Sequence, residues 1–105
     1  MRTLAHIGIP VKEKPVKCTY LADAKLSITD PADSKNNIEF LYFDADCPMP
    51  EILQTSTHIA YIVDDIEKEL EGAKVIVPPF MPLPNVKAAF VEEDGGVPIE
   101  LMQML

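Results

Sequence analysis

The chain has 105 residues, 48% apolar and 25% charged, enough for one domain around one core and too few for two. Nine Lys and Arg stand against 17 Asp and Glu, a net charge of −8 that repels nucleic-acid phosphates and anionic lipid and so argues against both as partners. No apolar run approaches the ~20 residues of a bilayer span. The opening MRTLAHIGIPVKEKP lacks the apolar stretch and cleavage site of a signal peptide, which predicts a cytoplasmic protein. Cys18 and Cys47 have no CxxC spacing and read as two reduced thiols.

In chain order, residues 4–11 are rich in β-branched side chains and predict a strand. KEKPVKC, residues 12–18, has turn chemistry and no helical period. Residues 19–29 alternate weakly through Tyr20, Leu21, Leu26 and Ile28 and predict a bent strand or hairpin arm. DPADSKNN, residues 30–37, is a turn by composition. IEFLYF, residues 38–43, predicts a strand. Residues 44–56 form a linker with at most one helical turn over 51–54. A second histidine-bearing strand follows over 57–63, and after it the one good helix. Asp64 or Asp65 caps that helix, Ile66 and Leu70 share its apolar face, and Gly72 stops it. The remainder predicts a short strand over 74–77 and a loop through Pro78, Pro79, Pro82 and Pro84. Two strands over 86–92 and 97–103 then close the chain around a tight Asp94-Gly95-Gly96 turn.

The chain repeats itself. Residues 3–11 (TLAHIGIPV) and 55–63 (TSTHIAYIV) share Thr, His, Ile and Val, with Gly8 opposite Ala60; residues 37–43 (NIEFLYF) and 98–104 (PIELMQM) share Ile-Glu. Each half opens on a strand with one histidine and closes on a strand with one glutamate. Such units pack around a shared centre because neither buries its apolar face alone. Period-two alternation puts Leu4 and Gly8 on the face of His6, and Ser56 and Ala60 on the face of His58. Ile7, Ile9, Ile59 and Tyr61 fall on the opposite face, suited to a helix. A carboxylate in the middle of an apolar strand is costly to bury unless it is paired or binds a metal. His6, Glu39, His58 and Glu100 thus make a mixed N/O set suited to a divalent Zn, Ni, Co, Mn or Fe ion. The plainer alternative is two hydrogen-bonded core histidines and two glutamates facing water.

With HIG at 6–8, IEF at 38–40, HIAYIVDDI at 58–66 and VPIEL at 97–101, the chain resembles the vicinal oxygen chelate superfamily, the glyoxalase and bleomycin-resistance fold. Within it, the chain looks most like methylmalonyl-CoA epimerases and glyoxalase I enzymes. The resemblance implies an α+β fold of two βαβββ modules, about residues 1–47 and 55–105, forming an open barrel-like sheet. The first module is shortened, its helix lost or reduced. The resemblance also implies metal ligation by His6, Glu39, His58 and Glu100. The ion would chelate two substrate oxygens and stabilise an enolate-like intermediate, while a carboxylate, Glu100 first and Glu39 second, moves the proton. Epimerases add a further acid in the first module, for which Asp23 is within reach.

The resemblance thus points to a metal-dependent isomerase, epimerase or lyase acting on a small chelating carbonyl substrate. Relatives hold glutathione or coenzyme A with cationic side chains, and this chain has one arginine and eight lysines. The shortened first module argues for a small substrate, such as a 2-oxo acid, a hydroxyketone or a hemithioacetal of a short thiol. The alternative is a non-catalytic, antibiotic-resistance-type binding protein of the same fold; Glu39 counts against a ring-cleaving Fe(II) oxygenase. An open sheet this small leaves apolar surface, near residues 40–43 and in the MQML terminus, which predicts a homodimer.

Overall fold

The two repeated Thr-x-x-His-Ile stretches lie side by side at the centre of the protein, described over residues 1–105 by a computed structural model. The first lies within β1 (Arg2–Val11) and the His-Ile of the second opens β5 (His58–Val63), paired antiparallel. Thr55 and Ser56 lie outside the strand, so Ser56 is not on the strand face of His58 as expected. β4 (Ile38–Phe43) adds to β1 in parallel, and β8 (Val97–Met104) adds to β5 in parallel. Beyond β4 lie β3 (Leu26–Ile28) and β2 (Thr19–Leu21); beyond β8 lie β7 (Val86–Glu93) and β6 (Lys74–Leu83). The single sheet, in the order β2-β3-β4-β1-β5-β8-β7-β6, curls into an open half-barrel. Two short helices, α1 (Glu51–Thr55) and α2 (Ile66–Glu69), complete an α+β fold. No helix is long and apolar enough to cross a membrane.

Alternation along β5, β7 and β8 divides the sheet into two environments. Val63, Ala89, Val91, Ile99 and Leu101 face outward and are buried beneath Ile66 of α2, with Ile59, Tyr61 and Leu70 packed around them. The residues between them face inward. One end of this core is tied down by the only arginine. Arg2 makes a two-pronged ion pair with Glu93 (2.9 and 2.7 Å) and a further bond to Glu69 (3.0 Å). It also lies over the Tyr61 ring. Hydrogen bonds from the guanidinium to Glu93 hold its pKa above the usual value despite partial burial. The arginine is thereby committed to structure.

Three further expectations need correction. β6 does not stop at Val77 but runs through Pro78, Pro79 and Pro82 to Leu83. It is an edge strand with register shifts along its length, the setting in which residues without an N–H can sit in a sheet. Leu4 is not on the face of His6. The β1–β5 register slips between them, so Leu4 lies opposite Tyr61 and is exposed, whereas His6 lies opposite Ala60. The helix after β5 is a single turn, capped by Asp65 and ended before Gly72, which adopts φ +71°. In the first half, residues 12–18 form no helix, so nothing equivalent to α2 covers Ile7 and Ile9. Of residues 40–43, Leu41 and Phe43 line the interior, and Phe40 faces outward.

Leu101 is fully buried in the core beneath α2. Leu101→Ala should lower unfolding free energy by about 2–5 kcal/mol in urea denaturation, through lost burial and the cavity left behind.

Candidate metal centre

The two halves deliver their functional side chains by the same register. Gly8 lies opposite both Glu39 on β4 and His58 on β5. Ala60 lies opposite both Glu100 on β8 and His6 on β1. Each histidine is therefore set across from a residue with almost no side chain, and each glutamate is alongside that same small residue. The His58 ring fills the space a Cβ would take on Gly8, with Nδ1 only 2.6 Å from that position. The result is a four-residue group whose ligand atoms all lie within 4.8 Å of one another, every member buried. The sequence-predicted set His6, Glu39, His58 and Glu100 is brought together whole.

Its geometry is asymmetric. Glu100 Oε1 lies 3.2 Å from His58 Nε2 and 3.4 Å from His6 Nε2; Glu39 Oε1 lies 3.4 Å from His6 Nε2 alone. The His58 contact is a hydrogen bond, but neither carboxylate is aligned to accept from His6, whose buried Nε2 has no hydrogen-bond partner. The imidazoles meet nearly edge to face, with centroids 5.8 Å apart. Behind them the Phe90 and His58 rings meet nearly at right angles with centroids 5.3 Å apart, and Phe80 stacks on Phe90.

Electrostatics explains what such a group needs. Two carboxylates are buried with no lysine or arginine beside them. Burial pushes the His6 pKa down, but Glu100 and Glu39 outweigh it and raise it to about 10. Burial pushes the Glu100 carboxyl up, and the two imidazoles more than reverse that, holding it below the usual carboxylate range. One imidazolium still leaves the pair of carboxylates undercompensated, whereas a divalent cation balances both. An unpartnered imidazole nitrogen, a second imidazole and two carboxylates within one coordination sphere's reach fit a borderline divalent ion.

The other residues that the sequence singles out lie elsewhere. Asp23 is exposed in the β2–β3 turn and does not join the group. Lys12 and Lys14 are exposed and line no part of the interior. The aromatic backing is not among the residues predicted for the site, although a signal for it exists. Phe90 shares the parity of Val86 and Ala88, and β7 sets it directly opposite Glu100. The donors sit at the bottom of a cavity of about 70 Å³ under the curl of the sheet. A wider groove of about 290 Å³, between the β2–β3 turn and β6, adjoins it and shares Leu21, Ala24, Phe80, Pro82 and Leu83 with it.

No protein-family model matches the chain, and no curated protein is similar to it in sequence. Among solved structures, it is similar to the hypothetical protein BH1468 from Bacillus halodurans C-125. The TM-score is 0.69 at 17% identity, covering 99% of this chain and 95% of that one. It is also similar to a chain described as NAD-dependent benzaldehyde dehydrogenase from Legionella pneumophila. There the TM-score is 0.51 at 8% identity, covering 94% and 97%. At these identities the likeness is one of fold alone.

Two outcomes follow from the geometry. Gly8→Ala should displace the His58 ring and weaken divalent-metal binding by about tenfold or more, with the circular dichroism spectrum retained. With its raised pKa, His6 is protonated at neutral pH in the metal-free protein, so a bound ion must displace that proton. Affinity should therefore rise about tenfold per pH unit between about pH 6 and 8.5, read by chelator competition. An affinity independent of pH would remove His6 from the ligand set.

Proposed function

We propose that the protein is a divalent-metal-dependent isomerase, epimerase or lyase that moves a proton at the carbon beside a carbonyl in a small chelating substrate. This places it with the vicinal oxygen chelate superfamily that its His-Ile and Ile-Glu motifs resemble. In that reading its halves are two βαβββ-type modules, the first without its helix. The observation that carries the proposal is the convergence of His6, Glu39, His58 and Glu100 at equivalent registers of the two halves, with His6 Nε2 left unpartnered.

His6, Glu39, His58 and Glu100 would hold the ion, a Zn, Ni, Co, Mn or Fe cation by the donor set. Such an ion supplies Lewis acidity, polarising a substrate carbonyl and lowering the pKa of the adjacent carbon acid. The chain's own residues do the rest. Glu100, the carboxylate set against both imidazoles, takes the proton from the substrate carbon and returns it, to either face or to a neighbouring carbon. Glu39, in contact with one imidazole, anchors. Phe90 fixes the His58 ring from behind, and the apolar walls keep water from the carbanion.

A second reading, a non-catalytic small-molecule binding protein, is favoured by one feature: beyond the four donors, the cavity contains no side chain able to act as an acid or base. Proton exchange separates the two. Metal-loaded protein is incubated in deuterated buffer with 2-oxo acids, hydroxyketones and short-thiol hemithioacetals, and NMR follows loss of the α-proton signal. Glu100→Gln should slow exchange by ~100-fold or more, and Glu39→Gln by less. His6→Ala and His58→Ala should abolish stoichiometric metal by elemental analysis. If the loaded protein exchanges no compound faster than free metal does, the binding-protein reading takes its place.

A further inference from the structure

Apart from His6, Glu39, His58 and Glu100, every residue lining the cavity is apolar. The walls are aliphatic and thioether side chains with the Phe80 and Phe90 rings, and no side chain offers a hydrogen bond or a positive charge beyond the donors. The adjoining groove has hydroxyls but no positive charge either. The groove between the β2–β3 turn and β6 adds Thr19, Tyr20 and Asp23 to the lining, and its one charged group is an acid.

The chain's nine Lys and Arg lie elsewhere, five of them in ion pairs. Arg2 is bound to Glu69 and Glu93 beyond the outward core. Lys17, Lys25, Lys74 and Lys87 pair with Asp33, Asp46, Glu92 and Glu67. No lysine lines either cavity. Two carboxylates are balanced by one divalent ion, so a loaded site has no positive charge left for a second anionic group. An acidic surface, net −8, adds long-range repulsion to the same effect.

From this we infer that the substrate is an uncharged, apolar molecule whose only polar atoms are the two oxygens it presents to the donors, such as an aliphatic or aryl α-hydroxyketone or 1,2-dione. The inference rests on the metal reading of the same site and narrows it. A carboxylate, phosphate or thioester-nucleotide tail would be desolvated in this cavity with nothing to pair it, which is the costly way to bury a charge. The inner cavity is also small against the roughly 300–1,000 Å³ of pockets for drug-sized ligands, so the apolar tail is short or runs out into the groove.

The test keeps the chelating head constant and changes only the tail. Co(II)-loaded protein is titrated with 1-hydroxy-5-methylhexan-2-one and with its isostere 5-hydroxy-4-oxopentanoate, in which a carboxylate replaces the isopropyl group. Binding is read from the visible Co(II) spectrum and from the NMR shifts of the Met49 and Met102 methyls. The neutral compound should bind at least about tenfold tighter. Equal or tighter binding of the carboxylate to protein that holds its metal overturns the inference and leaves the metal reading standing. If cobalt does not bind at all, the metal reading fails by itself. The same two compounds are then compared on metal-free protein through the methyl shifts, where a preference for the neutral one still supports the apolar cavity and no preference overturns it. As a second arm, Leu83→Arg puts a cation on the exposed edge strand at the cavity rim. It should raise affinity for the carboxylate at least about fivefold and narrow the gap; a folded variant with an unchanged gap counts against the inference.

Discussion

Two carboxylates buried at the centre of a curled sheet dominate this small protein. Glu39 and Glu100 each sit within an apolar strand, and an uncompensated charge in that position would oppose folding. The arrangement around them answers that constraint. β1 and β5 run antiparallel through the middle, so each one's histidine falls opposite the other's smallest residue. β4 and β8 then add in parallel on the two sides and bring a glutamate level with that residue. Gly8 and Ala60 are what let imidazole rings lie across the seam; a larger side chain at Gly8 would occupy the volume of the His58 ring.

The two faces of the sheet then diverge in chemistry. Outward, branched residues of β5, β7 and β8 pack under α2, and Arg2 closes the end of that layer against two glutamates. Inward, the same strands present the donors and a shell of apolar side chains, and the curl draws the β2–β3 turn and β6 toward each other over them. The division is uneven between the halves. The second half has a helix over its outer face; the first crosses from β1 to β2 in an irregular stretch, and Phe40 is left exposed beside half-buried Ile7 and Ile9.

That organisation links the proposed chemistry to its selectivity. The donors are buried and every other residue lining their cavity is apolar, so electrostatic effects on a bound carbonyl are strong. The same low polarity that would help a carboxylate remove a carbon-bound proton penalises any second charge on the ligand. One physical property, low polarity around a compensated charge cluster, underlies both the reaction class and the ligand class inferred for this site.

Much of this is legible in the sequence, because period-two alternation and an internal repeat are local patterns. They locate β4, β5, β7 and β8 to within a residue or two, put Ile59 and Tyr61 toward the helix, and single out the four residues that meet. The repeat also puts a small residue, Gly8 or Ala60, two positions after each histidine, but that each falls opposite the other strand's histidine is a matter of the β1–β5 register. What only the tertiary structure decided depends on neighbours distant in the chain. Pro78, Pro79 and Pro82 read locally as breakers, yet they lie in a strand because β6 is an edge whose partner tolerates shifts of register. Leu4 leaves the face of His6 because β1 slips against β5, a misfit that no single strand's pattern contains. The apolar lining, the missing cation and the unpartnered His6 nitrogen emerge only when the sheet curls, since they depend on which side chains end up facing one another across it.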